Sequence, residues 1–401
     1  MSGLDTEVAV VGGGVVGCAV AHALSRRGVA VALVEAEPEL GRGASAANSG
    51  ILHTGFDSPP GELETRLILR AAELREQLLG ELGVQSWRCG ARLTPTGTEQ
   101  RAAVARLAAN ARANGVQASL DPDGSLRVPG ETVTDPLAFL LALAGAAHRG
   151  GAELITSATV RALARTGAVG SQGNGAVGIE LADGRRLLAR AAVNCAGLHA
   201  DELARGAGDE LTEVYPRKGE FLVFAAPARE SLREILLPVP SELGKGVLVF
   251  PTLDRRAIIA GPTAREREDK RDWSVEEDAA AIIIERASAV YPPLAALTPI
   301  ASYAGLRPAG RSANYAIERS QAAPGLVHVA AIRSTGLSAS LAIAEHVTEM
   351  LAVDGWIAPG APRPLPAMPA VTDVAAGAAA ELWWERAARR SREAAGRAGA
   401  R

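Results

Sequence analysis

The residues best equipped for chemistry in this chain lie far apart. Gly12, Gly14 and Gly17 stand in G-x-G-x-x-G register within VAVVGGGVVGCAVAHALSRRGVAVALVE, and Glu35 closes that stretch 18 positions after Gly17. The spacing suits a dinucleotide. The first glycine permits a tight turn, the second lets a pyrophosphate reach bare backbone, and the third lets helix and strand pack closely. Gly13 and Val15 share that turn. Glu35, followed by Ala36, offers a carboxylate to ribose hydroxyls and argues against a 2′-phosphate. Three further candidates are His53, Arg307 and Arg333. An imidazole titrates near neutrality and can act as a general base, and guanidinium forks match carboxylate or phosphate oxygens. The bland alternatives are a hydrogen-bonding loop histidine and an interdomain ion pair for Arg307.

Positioning such groups requires particular elements. Residues 8–11 predict a short strand, a helix follows from the glycine turn to about Arg27 and Gly28, and residues 29–34 predict a second strand. The helix N-terminus then directs free N–H groups and a positive dipole end at the phosphates. A second match, Gly173, Gly175 and Gly178, follows a Gly/Ser/Gln loop and leads into an alternating strand, so it reads as a hairpin connection. The loop GRGASAANSGILHTGFD, residues 41–57, would lie over a bound cofactor. Helices are expected over 64–82, 99–114, 136–149, 275–291 and about 335–351, the last N-capped by Ser334 or Thr335. The exit AVNCAGLHAD has the small residues that a backbone needs when passing close to a flat or phosphorylated group. Residues 215–263 are strand-rich with Pro and Gly punctuation, as an antiparallel sheet reads. The expected fold is α/β: a discontinuous Rossmann-like nucleotide-binding domain (1–86, 145–210 and 300–356) with an inserted, antiparallel-sheet α+β substrate domain (87–144 and 211–299).

The chain has 401 residues, 48% of them hydrophobic, enough for one large or two moderate cores. A net charge of −3 gives no electrostatic case for nucleic acid. Cys18, Cys89 and Cys195 are too scattered for a disulfide framework or a metal site, and fit a reducing cytoplasm. No signal-peptide pattern precedes the first strand, and the apolar run at 136–147 is too short to span a bilayer. The Pro-rich passage from Ala358 should end the core near Trp356, leaving 357–401 as linker and tail. Trp383 and Trp384 with the arginines after them suit either a helix packed on the body or contact with a membrane surface. The expected location is the cytoplasm, or the periphery of the inner face of the membrane.

Taken in order, the clasp with Glu35, the segments ASAANSGILHTGFD, VNCAGLHAD and AGLRP, and finally IRSTGLSASLAIAEHV resemble the D-amino-acid oxidase superfamily of FAD enzymes, from about residue 7 to 351. NSGILHTGFDSPPGELETRL, PRKGEFLVF and KGVLVFPTLDRRAIIAGPTARERED look most like the FAD-dependent glycerol-3-phosphate dehydrogenases and oxidases, with L-2-hydroxyglutarate oxidases as close relatives. The resemblance implies FAD. It puts Gly12, Gly13, Gly14, Val15 and Gly17 on the pyrophosphate, Glu35 and Ala36 at the adenosine ribose, and Ser45, Ala46, Asn48, Ser49 and Gly50 beside the flavin and its phosphates. Val160 would meet the adenine, Ala196 and Gly197 the pyrophosphate, and Thr335, Gly336 and Leu337 the flavin's pyrimidine edge. The implied reaction is oxidation of a small anionic secondary alcohol, sn-glycerol 3-phosphate first, with hydride passing to flavin N5, His53 as base, and Arg307, Arg333 and Lys218 holding the anion. Another 2-hydroxy acid, an amine or amino acid, and a catalytically silent FAD-binding module are the alternatives. The electron acceptor stays open among oxygen, a quinone and a protein.

Overall fold

Strand β1 (Thr6–Val11) has Val8, Ala9 and Val10 fully buried, because it lies between two parallel neighbours with helices on its face. It pairs with β2 (Val31–Val34) on one side and Arg186–Asn194 on the other. Glu153–Ile155 extends the parallel run beyond β2. Arg186–Asn194 is shared on its far side: its later half pairs in parallel with Leu326–Ala330, its earlier half antiparallel with Gly175–Leu181. Gly175–Leu181 forms the expected hairpin with Val160–Ala168, although Gly173 of the decoy motif lies outside the described residues. This computed structural model describes residues 5–168, 175–228, 231–240, 246–364 and 381–398.

Helix α1 (Val15–Ser25) buries nearly every side chain, since it is flanked by the helices Pro136–Arg149 and Gly336–Val353. Its alanines, Ala19, Ala21 and Ala23, let those neighbours approach closely. Asp135 starts Pro136–Arg149 by accepting the N–H groups of Leu137 and Ala138 at 2.8 and 2.9 Å, and Leu140 and Leu143 are fully buried. Each such leucine contributes about 1.5–3 kcal/mol through removal from water.

The second large sheet centres on Val214–Ala225, which runs antiparallel to Pro299–Gly310 over nearly its whole length and also pairs with Ala257–Gly261 and Arg265–Glu266. This corrects two expected boundaries. The strand carrying AGLRP belongs to the antiparallel sheet rather than to the nucleotide side, and a cut at residue 144 falls inside a helix that packs on α1. Residues 86–93 form two short strands in different sheets, Ser86–Trp87 joining a small three-stranded sheet and Ala91–Leu93 the large one.

The core does not end near Trp356. The helix Trp383–Ala398 returns to the body and buries Trp383, Trp384, Ala387 and Ala388. Trp383 meets the edge of Tyr303, which is stacked on Phe221. With both indoles in the core, this helix packs on the body, the first of the two readings of the segment. Among the described residues no helix is long and apolar enough to cross a membrane.

Candidate active site

A cavity of about 1800 Å³ opens where β1 meets α1 and draws its walls from both large sheets. Gly12 turns there with φ +107°, and a Cβ on it would lie 2.4 Å from the carbonyl oxygen of Cys195. A Cβ on Gly17 would lie 1.9 Å from the Gly12 oxygen, so helix and turn touch because both residues lack side chains. Gly14 is the N-cap of α1 and offers no side-chain cap. Val15 N–H donates to Ser45 Oγ at 3.0 Å, tying the 41–57 loop to the helix mouth. Glu35 accepts from Gly13 N–H at 2.6 Å and Glu37 N–H at 2.8 Å. Burial pushes its carboxyl above the usual range, and those donated hydrogen bonds partly oppose the shift.

Gly12, Gly14, Val15, Glu35, Ala36, Ser45, Asn48, Ser49, Val160, Ala196, Gly197, Thr335, Gly336 and Leu337 all stand on the cavity wall. Gly13, Gly17, Ala46 and Gly50 stand behind it, a correction to their expected contact. Gly13 faces Leu40 and Glu35, and Gly50 (φ +75°) has the Thr134 oxygen 2.4 Å from where a Cβ would go. Gly13 and Gly17 shape the turn, while Gly50 lets the 41–57 loop pass close to Thr134. At Gly336–Val353, Thr335 occupies the N-cap position yet makes no capping bond. Its hydroxyl donates instead to Glu64 Oε1 at 2.6 Å and lies 2.7 Å from the Tyr315 hydroxyl. The first turn of that helix therefore presents uncapped N–H groups at the wall, a setting that favours negative charge. An open helix mouth, a glycine turn and a ribose-distance carboxylate fit an anionic dinucleotide.

His53 also lines the cavity. Its Nδ1 is 2.8 Å from Oε2 of Glu131, a fully buried carboxylate that also accepts Thr54 N–H at 2.7 Å and Thr54 Oγ1 at 2.8 Å. Burial alone would raise the Glu131 pKa; the charge and hydrogen bond of His53, with the Thr54 donors, outweigh it and hold Glu131 below its ordinary value. With Glu131 ionised, Nδ1 carries the proton and Nε2 the basic lone pair. The backbone here is also pinned, His53 N–H by Ser338 Oγ at 2.8 Å and His53 O by Arg75 Nη2 at 2.8 Å. Sequence reasoning found the histidine and missed Glu131, which stands in the turn PGET with no local signal of its role.

Arg307 is half-buried on the wall and donates to the carbonyl oxygens of Arg217, Lys218 and Thr263 at 3.0, 3.1 and 2.8 Å. It has no carboxylate partner among the described residues, and burial, with Arg217 nearby, pushes its pKa down to about 10. The cation is held in place by carbonyl dipoles with its charge uncompensated. Arg333 is different: Nη2 sits 3.1 Å from Glu64 Oε2, so its charge is partly neutralised. Lys218 is not at the site. It is fully buried, outside the cavity wall, with Nζ 2.8 Å from Asp272 Oδ2 and 3.4 Å from Ser274 Oγ. Strand alternation turns Lys218 inward and puts Arg217 on the wall instead. Cys195 is buried with its thiol pushed up to about 12, which leaves it unreactive.

The description "FAD dependent oxidoreductase" matches residues 7–350. The chain is 30% identical to a glycerol 3-phosphate dehydrogenase of Caloramator mitchellensis over 86% of its length and 73% of that protein's. It is 26% identical to a glycerol 3-phosphate oxidase of Mycoplasma pneumoniae, over 86% of this chain and 94% of that one. It is also 26% identical to the mitochondrial L-2-hydroxyglutarate dehydrogenase of Arabidopsis thaliana, over 85% and 82%. Among solved structures, the L-alpha-glycerophosphate oxidase of M. pneumoniae with FAD bound superposes with a TM-score of 0.80 at 25% identity, over 90% of this chain and 97% of that one. The chain therefore belongs to the FAD-dependent oxidoreductase family, an enzyme with FAD as its cofactor.

Proposed function

We propose that this enzyme oxidises a small anionic secondary alcohol, with sn-glycerol 3-phosphate converted to dihydroxyacetone phosphate as the leading reaction. The observation that carries this reading is the wall that His53, backed by Glu131, shares with Arg217 and with Arg307, which has no carboxylate partner among the described residues. The named activities of the relatives select the phosphate ester from other anions. FAD, when bound, supplies the two-electron acceptor for the hydrogen of the carbinol carbon. His53 Nε2 takes the hydroxyl proton, and Glu131 steadies the imidazolium that results. Arg307 and Arg217 hold the phosphate; Arg333, partly neutralised by Glu64, plays the smaller part. In the same reading the wall glycines and the N-terminus of α1 hold the pyrophosphate, Glu35 the ribose, and Thr335 to Leu337 the flavin's pyrimidine edge, where a helix N-terminus stabilises negative charge.

The test is anaerobic mixing of the yellow holoenzyme with candidate substrates. Glycerol 3-phosphate should bleach the oxidised-flavin bands, while 2-hydroxyglutarate and amino acids should leave them. Bleaching by 2-hydroxyglutarate alone would transfer the mechanism to a carboxylate substrate, and no bleaching by any of them would remove it.

A further inference from the structure

The family's match ends at residue 350, yet the helix Trp383–Ala398 touches the same cavity. Its residues Arg390, Glu393 and Ala394 stand on the wall beside Arg42. Three different parts of the molecule meet this helix. Trp383 and Ser391 hold it on the strand Pro299–Gly310, the Ser391 hydroxyl accepting Ala304 N–H at 3.0 Å. Arg386 pairs with Glu39 at 2.6 Å, and Glu393 lies 3.7 Å from Arg42, both across to the loop that runs past Ser45. Arg390 lies over the ring of Trp273 with its guanidinium carbon 3.6 Å from the ring centroid, which adds the loop after the antiparallel strands.

Arg390 is the member without a complete set of partners. Stacking on Trp273 uses the face of the guanidinium plane and leaves its edge free to donate. Nη1 on that edge is buried and has no hydrogen-bond partner among the described residues. A buried donor left unmatched costs about 1–3 kcal/mol, so its position in a cavity wall points to an acceptor that arrives with a ligand. Geometry links this part of the helix to the glycine turn through the 41–57 loop: Glu393 lies 3.7 Å from Arg42, and Ser45 of the same loop accepts Val15 N–H at 3.0 Å.

We propose that the helix Trp383–Ala398 is a cofactor clasp, which holds the loop bearing Glu39, Arg42 and Ser45 against the cavity and brings the Arg390 guanidinium to the diphosphate of FAD. The inference rests on FAD occupying this cavity and is independent of the substrate. It is tested with full-length protein freed of flavin and titrated with FAD and, separately, with ADP, which shares the diphosphate and lacks the flavin. Arg390→Ala should weaken both ligands by about 10-fold, as expected for one charge-assisted hydrogen bond. The loss should shrink as salt rises, and Arg390→Lys should recover part of it. The flavin-free variants should lose much less stability than they lose binding free energy, because removing the Trp273 stack is offset by removing the unmatched donor. Affinities of Arg390→Ala within twofold of wild type would overturn the proposal. So would a loss matched by an equal fall in flavin-free stability, since that marks a packing residue. Failure of the wild type itself to take up FAD would instead remove the cofactor assignment on which the inference stands.

Discussion

At the scale of single residues, the proposed chemistry depends on a carboxylate that does not touch substrate. In that mechanism Glu131 fixes the proton on His53 Nδ1 and so leaves Nε2 as the base. Glu131→Gln should lower kcat by roughly 10²–10⁴-fold, the usual worth of a positioned acid–base group, with KM little changed. Steady-state rates at limiting and at saturating substrate check this, since they separate kcat from KM. A kcat near wild type would make the pair a structural one. Such a partnership was invisible in the sequence: 78 positions separate the two side chains, and only the folding of Thr132–Thr134 against Ile51–Leu52 brings them together. Lys218 shows the reverse failure. A basic residue next to a strand reads as a ligand or a solvated charge, while the register of Val214–Ala225 decides which of Arg217 and Lys218 faces the cavity.

At the scale of elements, the nucleotide clasp was legible because glycine spacing and strand-helix-strand order are local properties. Gly17 shows how little tolerance it has. Gly17→Ala puts a methyl 1.9 Å from the Gly12 carbonyl oxygen, so α1 must move off the sheet. The loss of stability should exceed the roughly 1–3 kcal/mol of ordinary overpacking, as read by the denaturant midpoint, with FAD uptake lost as well. A wild-type midpoint would show that the helix yields freely. On the same helix, His22 is buried with both ring nitrogens unpartnered, and burial pulls its pKa from 6.5 down to about 4. The unfolded chain thus gains a proton below pH 6.5 that the folded chain refuses until about pH 4, so stability falls as pH drops through that window. Melting temperatures between pH 7 and 4 should show this decline, and His22→Leu should flatten it. A slope unchanged in the variant would assign the decline to other groups. The sequence marked α1 as helical without marking which elements would cover it, because one of them, Gly336–Val353, begins some 310 residues later.

At the scale of the whole molecule, the tail was the least legible part. Its amphipathic pattern and paired tryptophans told of an apolar face, but the surface that receives it is assembled from distant strands. The receiving strand, Pro299–Gly310, pairs with Val214–Ala225 on one side only among the described residues. On its open side, Ala304 N–H is satisfied by Ser391. The tail helix therefore also acts as a guard against self-association, because a long unpaired strand is a template for another chain. A version of the protein that stops at residue 381 should lose this cover and scatter light at concentrations where the full chain stays clear, with adding FAD in excess failing to restore clarity. If the shortened chain remains monodisperse, the strand's own twist is protection enough. Covering the strand edge and lining the cavity are thus tasks of one sixteen-residue helix, so selection for solubility would preserve it even in relatives that bind their flavin by other means.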